Sequence, residues 1–329
     1  MLRNAPSGSG SARKKTLTEI AQSTLKAVEQ GSYVLEDVGE IKLSETVAKC
    51  VKNTRLYQPN SELSKWGNAG TVNLPQASAA NGSEEDTSTK KGCETFMLHI
   101  STLEGARLIA SMTSKDGEAD VELERTQDRI GVLNFASAKK RGGGFLNGAS
   151  AQEESIARSS TLYPSLLSDT VKPYYTLHAS DPKGGYYSHN MIYSPDVLLL
   201  RDDDGKWLKP LCVDMLTSPA VNAGVVKRSA IAKADPDTEA AEKVEAAMCE
   251  RAARILYAFE LHDVRQIVLG AWGCGIFGNN ARTVAGMWAD LLGKKDSRFK
   301  GSFDRVVFAV LGQDPYEKFK EAFEARVAE

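Results

Sequence analysis

The stretch that decides the fold is "RIGVLNFASAKKRGGGFLNGASAQEE", from Arg129 to Glu154. Its first part, Arg129 to Ala138, is apolar enough to form a buried strand, and a loop with three consecutive glycines follows. The next residues, "EESIARSSTLY", predict a helix whose first turn carries Glu153 and Glu154. A buried strand that leads through a short loop into a helix is the repeating unit of an α/β fold.

The same alternation of strands and helices continues to the C terminus. Further strands are predicted at 94–100, 191–203, 209–222, 265–272 and 304–312. Further helices are predicted at 101–112, 235–263, 281–294 and 314–327, with N-terminal caps at Ser101, Asp235 and Asp314. Strands that are apolar throughout need cover on both faces. The pattern therefore predicts a three-layer α/β/α sandwich around a mixed or mainly parallel sheet.

The N-terminal part predicts a helical extension of this sandwich. "TLTE" is a capping box that places the start of the first helix at Thr16, and Gly31 is suited to end it. A hairpin around 37–39 and a helix at 44–54 follow. We therefore expect one domain over 16–329, with an extension at 16–92 and a core at 93–329.

Two segments of the chain predict no fixed structure. Residues 1–15 are basic and rich in Ser and Gly, which favours a disordered tail over a short organelle-targeting peptide. The stretch 76–92 has almost no large apolar residues and predicts an exposed, mobile loop.

Composition narrows the function classes. The chain has a net charge of −2 and 26% charged residues, so no global basic field exists and direct DNA binding is not expected. Five widely spaced cysteines without a CxxC pair favour a reduced compartment, cytoplasmic or nuclear. The histidines are scattered and no HExxH occurs, so we expect no metal site. No apolar run approaches ~20 residues, so we expect no membrane span. We expect a monomer.

A second glycine-rich loop, "GAWGCGIFGNN" from Gly270 to Asn280, also follows a predicted buried strand and precedes a helix. Ligands of open α/β sheets bind outside the carboxyl ends of the strands, and backbone N–H groups at such loops bind anions. We therefore expect the two loops to hold a diphosphate from both sides, with the Phe277 ring beside a base or a sugar.

Each of these features has a simpler interpretation when taken alone. A single glycine turn is most often only a tight connection, and Phe277 alone is more often a core residue. Cys274 is best interpreted as a small buried filler, because no histidine lies near it in the sequence. Glu153 and Glu154 alone would be solvated acids favoured by the helix dipole. The coincidence of both loops with Gln152-Glu153-Glu154 favours a functional site.

This coincidence resembles a known family. Three glycines, seven residues and then Gln-Glu-Glu is similar to the motif of poly(ADP-ribose) glycohydrolases. "LTEIAQSTLKAVEQGSY" (17–33) and "IYSPDVLLLRDD" (192–203) resemble segments of the bacterial-type branch, which also occurs in fungi. The resemblance implies a macrodomain fold, no cofactor, and hydrolysis of the ribose–ribose O-glycosidic bonds of poly(ADP-ribose). The alternatives are a macrodomain that only binds ADP-ribose, and a hydrolase that removes single ADP-ribose units from proteins.

The resemblance also implies how the enzyme works. It implies cleavage from the chain terminus, because no counterpart of the tyrosine lid of the animal-type branch is evident. It further implies ADP-ribose and ADP-ribosylated proteins as partners, and a role in the DNA damage response. By resemblance, Glu154 is the catalytic glutamate, Glu153 orients the ribose, and Asn134 hydrogen-bonds the distal ribose. The residues that the resemblance assigns to ligand binding are Asn134, Gly142, Gly143, Gly144, Gln152, Gly273, Cys274, Gly275, Ile276 and Phe277.

The two glutamates are adjacent in the sequence, which limits how they can share acid–base catalysis. Adjacent helical residues point about 100° apart, so Glu153 and Glu154 cannot flank one glycosidic bond symmetrically. We therefore expect one proton carrier, Glu154, that acts first as general acid and then as general base.

Overall fold

The structure of the protein is a computed structural model that describes residues 10–68, 93–113, 129–181, 183–232 and 237–329. The predicted loop at 76–92 and the predicted cap at Asp235 lie outside the described residues.

The described residues form strands and helices in the predicted alternation. The strands are β1 Ser32–Leu35, β2 Gly39–Lys42, β3 Arg55–Tyr57, β4 Glu94–Leu98, β5 Ile130–Phe135, β6 Met191–Arg201, β7 Trp207–Ser218, β8 Gln266–Leu269 and β9 Arg305–Ala309. The helices are α1 Gly10–Gln30, α2 Ser44–Asn53, α3 Thr102–Thr113, α4 Gln152–Ser159, α5 Leu162–Leu167, α6 Lys172–Ala179, α7 Ala223–Ala232, α8 Asp237–Leu261, α9 Ala281–Leu292 and α10 Gln313–Ala328.

Seven of the strands form one mixed sheet in the order β3-β6-β7-β5-β8-β9-β4. Strands β7, β5, β8, β9 and β4 pair in parallel, whereas β6 is antiparallel to both of its neighbours. Strands β1 and β2 form a separate hairpin. The parallel strands all end at the same edge of the sheet, which is where ligands bind in open α/β folds.

Both faces of the sheet are covered, as its apolar strands require. Successive residues of β8 show this, because Ile267 packs with α8, α9 and α10 while Val268 packs with α3, α4 and α5. Both side chains are fully buried. The predicted three-layer α/β/α sandwich with a mixed sheet is therefore confirmed.

The β6–β7 hairpin is bent, and the N-terminal helix α1 holds its tip. The register of this hairpin shifts between Ser194 and Val197, and Asp196 between them has a positive φ of 58°. At the tip of the hairpin, Arg201 donates from Nε to the Thr24 hydroxyl of α1 at 2.8 Å. Thr24 in turn donates to the carbonyl oxygen of Arg158 in α4 at 2.7 Å. One buried hydroxyl therefore joins the extension, the hairpin and α4.

The start of α1 differs from the prediction. The helix begins at Gly10, and Thr16 lies inside it with its hydroxyl bonded to the carbonyl oxygen of Ala12, so the predicted N-cap at Thr16 is wrong. Residues 10–15 of the predicted tail are therefore helical, and residues 1–9 lie outside the described residues. The predicted end is confirmed, since Gly31 follows the helix with a φ of 79°.

Two other helix boundaries also differ. Helix α4 ends at Ser159, four residues before the end of the predicted helix, because Ser160 is extended and bridges to Leu199 of β6. Gly312, and not Asp314, is the N-cap of α10. The predicted cap of α3 at Ser101 is confirmed and forms a capping box, with the Ser101 N–H donating to Glu104 at 2.8 Å and the Glu104 N–H donating to Ser101 at 3.0 Å.

Replacing Thr24 by Val is expected to lower the free energy of unfolding by about 1–3 kcal/mol, because it leaves two buried polar groups without a partner. Thr16→Val is the matched control, since Thr16 is exposed on the same helix and is expected to change stability by less than ~0.5 kcal/mol. Urea denaturation measures both variants. Equal stability of the two would show that the Thr24 contacts do not join the extension to the core.

Candidate active site

A cleft of about 740 Å³ lies at the carboxyl ends of the parallel strands. Both glycine loops form its walls, the first after β5 and the second after β8. Of the residues that the sequence assigns to the site, the cleft wall contains Gly143, Gly144, Gln152, Glu153, Glu154, Gly273, Cys274, Gly275, Ile276 and Phe277. The fold thus brings the two loops and the glutamate pair into one cavity.

Gln152 fixes the helix that carries the glutamates. The pairing of β5 with β8 ends at Val132, and beyond this residue the side-chain amide of Gln152 forms hydrogen bonds with the backbone of β5. Its Oε1 accepts from the Phe135 N–H at 2.8 Å, and its Nε2 donates to the Leu133 carbonyl oxygen at 2.8 Å. A second Nε2 hydrogen bond joins the Thr102 hydroxyl at 3.1 Å. Because its amide is taken up by protein groups, Gln152 acts as a brace between α4, β5 and α3.

Glu154 occupies the space that the first glycine loop leaves free. A Cβ atom on Gly143, whose φ is 61°, would lie 2.3 Å from Oε1 of Glu154. The same Oε1 accepts a hydrogen bond from the Gly144 N–H at 2.8 Å. Oε2 has no hydrogen-bond partner among the described residues. The Gly143 N–H donates to the carbonyl oxygen of Lys140 at 3.0 Å, so the N–H groups of Gly143 and Gly144 are both taken up within the protein. The glycines therefore admit the carboxylate, and one oxygen of Glu154 remains available to a ligand.

Glu153 has a different environment, although it is the next residue. It is 2% exposed, its Oε2 accepts from the Ser137 N–H at 2.6 Å, and its Oε1 lies 3.4 Å from Nδ2 of Asn134. Burial raises the pKa of the Glu153 carboxyl to about 8, and the neighbouring charge of Glu154 adds to this rise. Glu153 is therefore largely neutral at pH 7.

The second loop is held rigidly beside the first. Asn279 donates from Nδ2 to the carbonyl oxygens of Val221 at 2.8 Å and Gly273 at 3.0 Å. Gly275 has no heavy atom within 4 Å of the position of a Cβ, so its backbone is open to a ligand. Burial raises the pKa of the Cys274 thiol to about 12, which fits a filler and not a nucleophile.

Comparison with known proteins identifies the family. The family model described as the catalytic domain of microbial-type poly(ADP-ribose) glycohydrolase (PARG) matches residues 21–202. The PARG of Thermomonospora curvata is 34% identical, with a TM-score of 0.75 over 95% of this chain and 99% of that chain. The chain belongs to the microbial-type PARG family. A search of curated proteins gives no significant match.

Other PARG structures are also similar to this chain. One is the T. curvata enzyme bound to the inhibitor ADP-HPD, with 34% identity, a TM-score of 0.74, and coverage of 95% of this chain and 99% of that chain. Another is the Deinococcus radiodurans PARG in complex with ADP-ribose. It is 32% identical and has a TM-score of 0.66 over 87% of this chain and 98% of that chain.

Two residues that the resemblance assigned to ligand binding do not line the cleft of this PARG. Asn134 is fully buried behind Glu153, and its Nδ2 donates to the Thr217 hydroxyl at 3.1 Å. Gly142 faces the interior, where a Cβ would lie 3.0 Å from the Phe145 ring. The alternation of side chains within β5 points Asn134 into the protein, and a motif match does not reveal this direction.

Other residues of the PARG cleft were not predicted from the sequence. Tyr187 has a positive φ of 56°, and its ring centroid lies 6.1 Å from that of Phe277. Asp203 at the hairpin tip lines the cleft and accepts a hydrogen bond from the Ser101 hydroxyl at 2.5 Å. Asp203 lies in the run "RDDDGK" (201–206), which is typical of a solvated turn, so the sequence gives no signal of its place in the cleft. For Tyr187, the sequence offers one signal, the pair Gly184-Gly185, which indicates a tight turn just before it.

Within the residues that the structure describes, no three His, Cys, Asp or Glu side chains are grouped so that they could hold a metal ion. None of the helices there combines the length and apolarity needed to cross a bilayer.

Replacing Gly143 by Ala is expected to displace the Glu154 carboxylate and to lower kcat by about 100-fold, since small misplacements of reacting groups cost that much. The matched control is Gly184→Ala, because Gly184 also has a positive φ (55°) but has open space around its Cβ position. Steady-state kinetics and thermal unfolding are measured for both. If Gly143→Ala retains wild-type kcat, Glu154 does not depend on the loop for its position.

Replacing Glu153 by Gln is expected to flatten the pH dependence of stability. The folded-state pKa of about 8 lies above the unfolded value of 4.5, so unfolding between these values releases a proton and stability falls as pH rises through this window. Gln cannot ionise and does not show this loss. Denaturant unfolding at pH 5 and pH 8 compares the wild type with the variant. An equal change for both proteins would mean that Glu153 is ionised in the folded chain.

Proposed function

We propose that this PARG releases ADP-ribose from the terminus of poly(ADP-ribose), with Glu154 as the group that donates and then accepts the proton. The observation that carries the proposal is the geometry of Glu154. One oxygen is held by the Gly144 N–H, and the other has no partner among the described residues and belongs to a residue on the cleft wall. A group so held can exchange a proton with a substrate without losing its position.

The walls of the cleft support binding of one ADP-ribose unit. Open amides of the second loop suit a diphosphate, and the Phe277 ring suits a sugar or a base. The volume of about 740 Å³ lies within the range of pockets for a single small ligand. That the D. radiodurans relative is in complex with ADP-ribose adds support.

The chemistry follows from the needs of an oxocarbenium-like transition state. Protonated Glu154 donates its proton to the oxygen of the leaving ribose as the glycosidic bond breaks. The carboxylate that results then takes a proton from a water molecule, and the water oxygen bonds to the anomeric carbon. The ionised Glu154 and the substrate diphosphate both provide negative charge near the developing cation.

Glu153 has a supporting role in this proposal. Because it is largely neutral at pH 7, it contributes little charge to the transition state. Its hydrogen bonds to the Ser137 N–H and towards Asn134 hold the end of β5 against α4. From there its carboxyl orients the ribose next to Glu154.

The proposal extends to the carriers of the polymer, the oligomeric state and the location of the enzyme. ADP-ribosylated proteins are the expected carriers of the polymer, and the enzyme is expected to act as a monomer. All five cysteines are free, which supports the predicted cytoplasmic or nuclear location.

The proposal is tested by incubating the protein with labelled poly(ADP-ribose) and separating the products over time. Monomeric ADP-ribose is expected from the first time point, without intermediate oligomers. Glu154→Gln is expected to lower kcat by about 10²–10⁴-fold while the affinity for ADP-ribose, measured by calorimetry, stays near that of the wild type.

Other outcomes separate the alternatives. Binding of ADP-ribose without turnover by the wild type would identify a reader module. Release of ADP-ribose from singly modified proteins but not from polymer would identify a mono-ADP-ribosyl hydrolase. Early release of oligomers would replace terminal cleavage by internal cleavage.

A further inference from the structure

The cleft wall carries two cationic side chains among the residues described, Lys139 and Lys140. They follow β5 directly and precede the first glycine loop. Both are exposed, and the Ser137 hydroxyl fixes the turn that presents them by accepting from the N–H groups of Lys139 at 3.4 Å and Lys140 at 3.1 Å. The mechanism described above uses neither of them.

The backbone ties Lys140 to the end of the cleft where the bond is broken. The carbonyl oxygen of Lys140 accepts a hydrogen bond from the N–H of Gly143 at 3.0 Å. Gly143 is the residue against which the Glu154 carboxylate packs. One tight turn therefore carries both Lys140 and Gly143, the residue that contacts the Glu154 carboxylate.

The two lysines differ in their partners. Nζ of Lys139 lies 3.3 Å from Oδ2 of Asp181, so this charge is already paired. Lys140 has no ion-pair partner among the described residues. The acidic residues that line the cleft, Glu153, Glu154 and Asp203, form no ion pair with Lys140. The Lys140 ammonium group is therefore available to bind an anionic group of a ligand.

Resting on the proposed function, we propose that Lys140 binds the diphosphate of the ADP-ribose unit on the leaving side of the scissile bond. The terminal unit places its own diphosphate on the open amides of the second loop, which supply its donors. The leaving group of a polymer is the ribose of a second nucleoside diphosphate, whose phosphates lie beyond Glu154. Lys140 would then favour polymer over substrates whose leaving group lacks phosphate.

The test compares two substrates that share the terminal ADP-ribose. One is poly(ADP-ribose), and the other is ADP-ribose with a neutral aryl ether at the same anomeric carbon, whose leaving group has no phosphate. For Lys140→Gln, kcat/KM on the polymer is expected to fall about twofold to fivefold and to depend less steeply on salt. On the aryl substrate it is expected to stay at the wild-type value. Lys140→Arg is expected to restore the polymer value.

Lys42→Gln is the matched control, because Lys42 is exposed on β2 outside the cleft. It is expected to leave both kcat/KM values unchanged. Equal losses of Lys140→Gln on both substrates, with weaker binding of ADP-ribose, would assign the lysine to the terminal unit and overturn the inference. No loss on either substrate would also overturn it. If the wild type cleaves neither substrate, the proposed function itself fails.

Discussion

The site depends on the side chain of Gln152, which substitutes for a missing strand. Where β5 runs beyond its pairing with β8, the Gln152 amide accepts from the Phe135 N–H and donates to the Leu133 carbonyl oxygen, as a neighbouring parallel strand would do. A side-chain amide offers a donor and an acceptor together without a charge and at any ordinary pH. These bonds set the first turn of α4 against the end of the sheet. The directions of Glu153 and Glu154 follow from that position.

Two identical side chains at adjacent positions thereby acquire different chemistry. Glu153 lines the cleft but is almost fully buried, which favours its neutral form, whereas Glu154 packs on Gly143 and keeps one oxygen at the cavity. The glycines contribute in a way that their sequence alone does not reveal. At Gly143 they make room for the acid, since a Cβ there would overlap with the carboxylate, and the N–H of Gly144 binds that carboxylate. The motif is therefore a steric fit between loop and helix as much as an anion-binding surface.

The sequence predicts the layers and the two loops well, because these depend on local patterns. Apolar strands such as β8 and capping residues such as Ser101 have direct signals. The long-range features have none. Asp203 reaches the cleft from the tip of the β6–β7 hairpin, which is distant in the chain from both glycine loops, and Asn134 lies behind the wall because of the pleat of β5. The start of α1 at Gly10 differs because contacts with α4 and the glycine loop, and not a cap, stabilise its early turns. A sequence motif therefore identifies where the site lies, but it does not identify which residues of the motif line the cleft.

The bond between Thr24 and Arg201 joins residues 177 positions apart in the chain. A ribosome makes the N-terminal helix first, at about 5–20 residues per second, long before it makes the hairpin against which the helix docks. During that interval the apolar side of α1, with Leu17 and Ala21, has no surface to cover it. The growing polypeptide therefore exposes these apolar side chains for many seconds, which makes this segment a natural substrate for chaperones that act during translation.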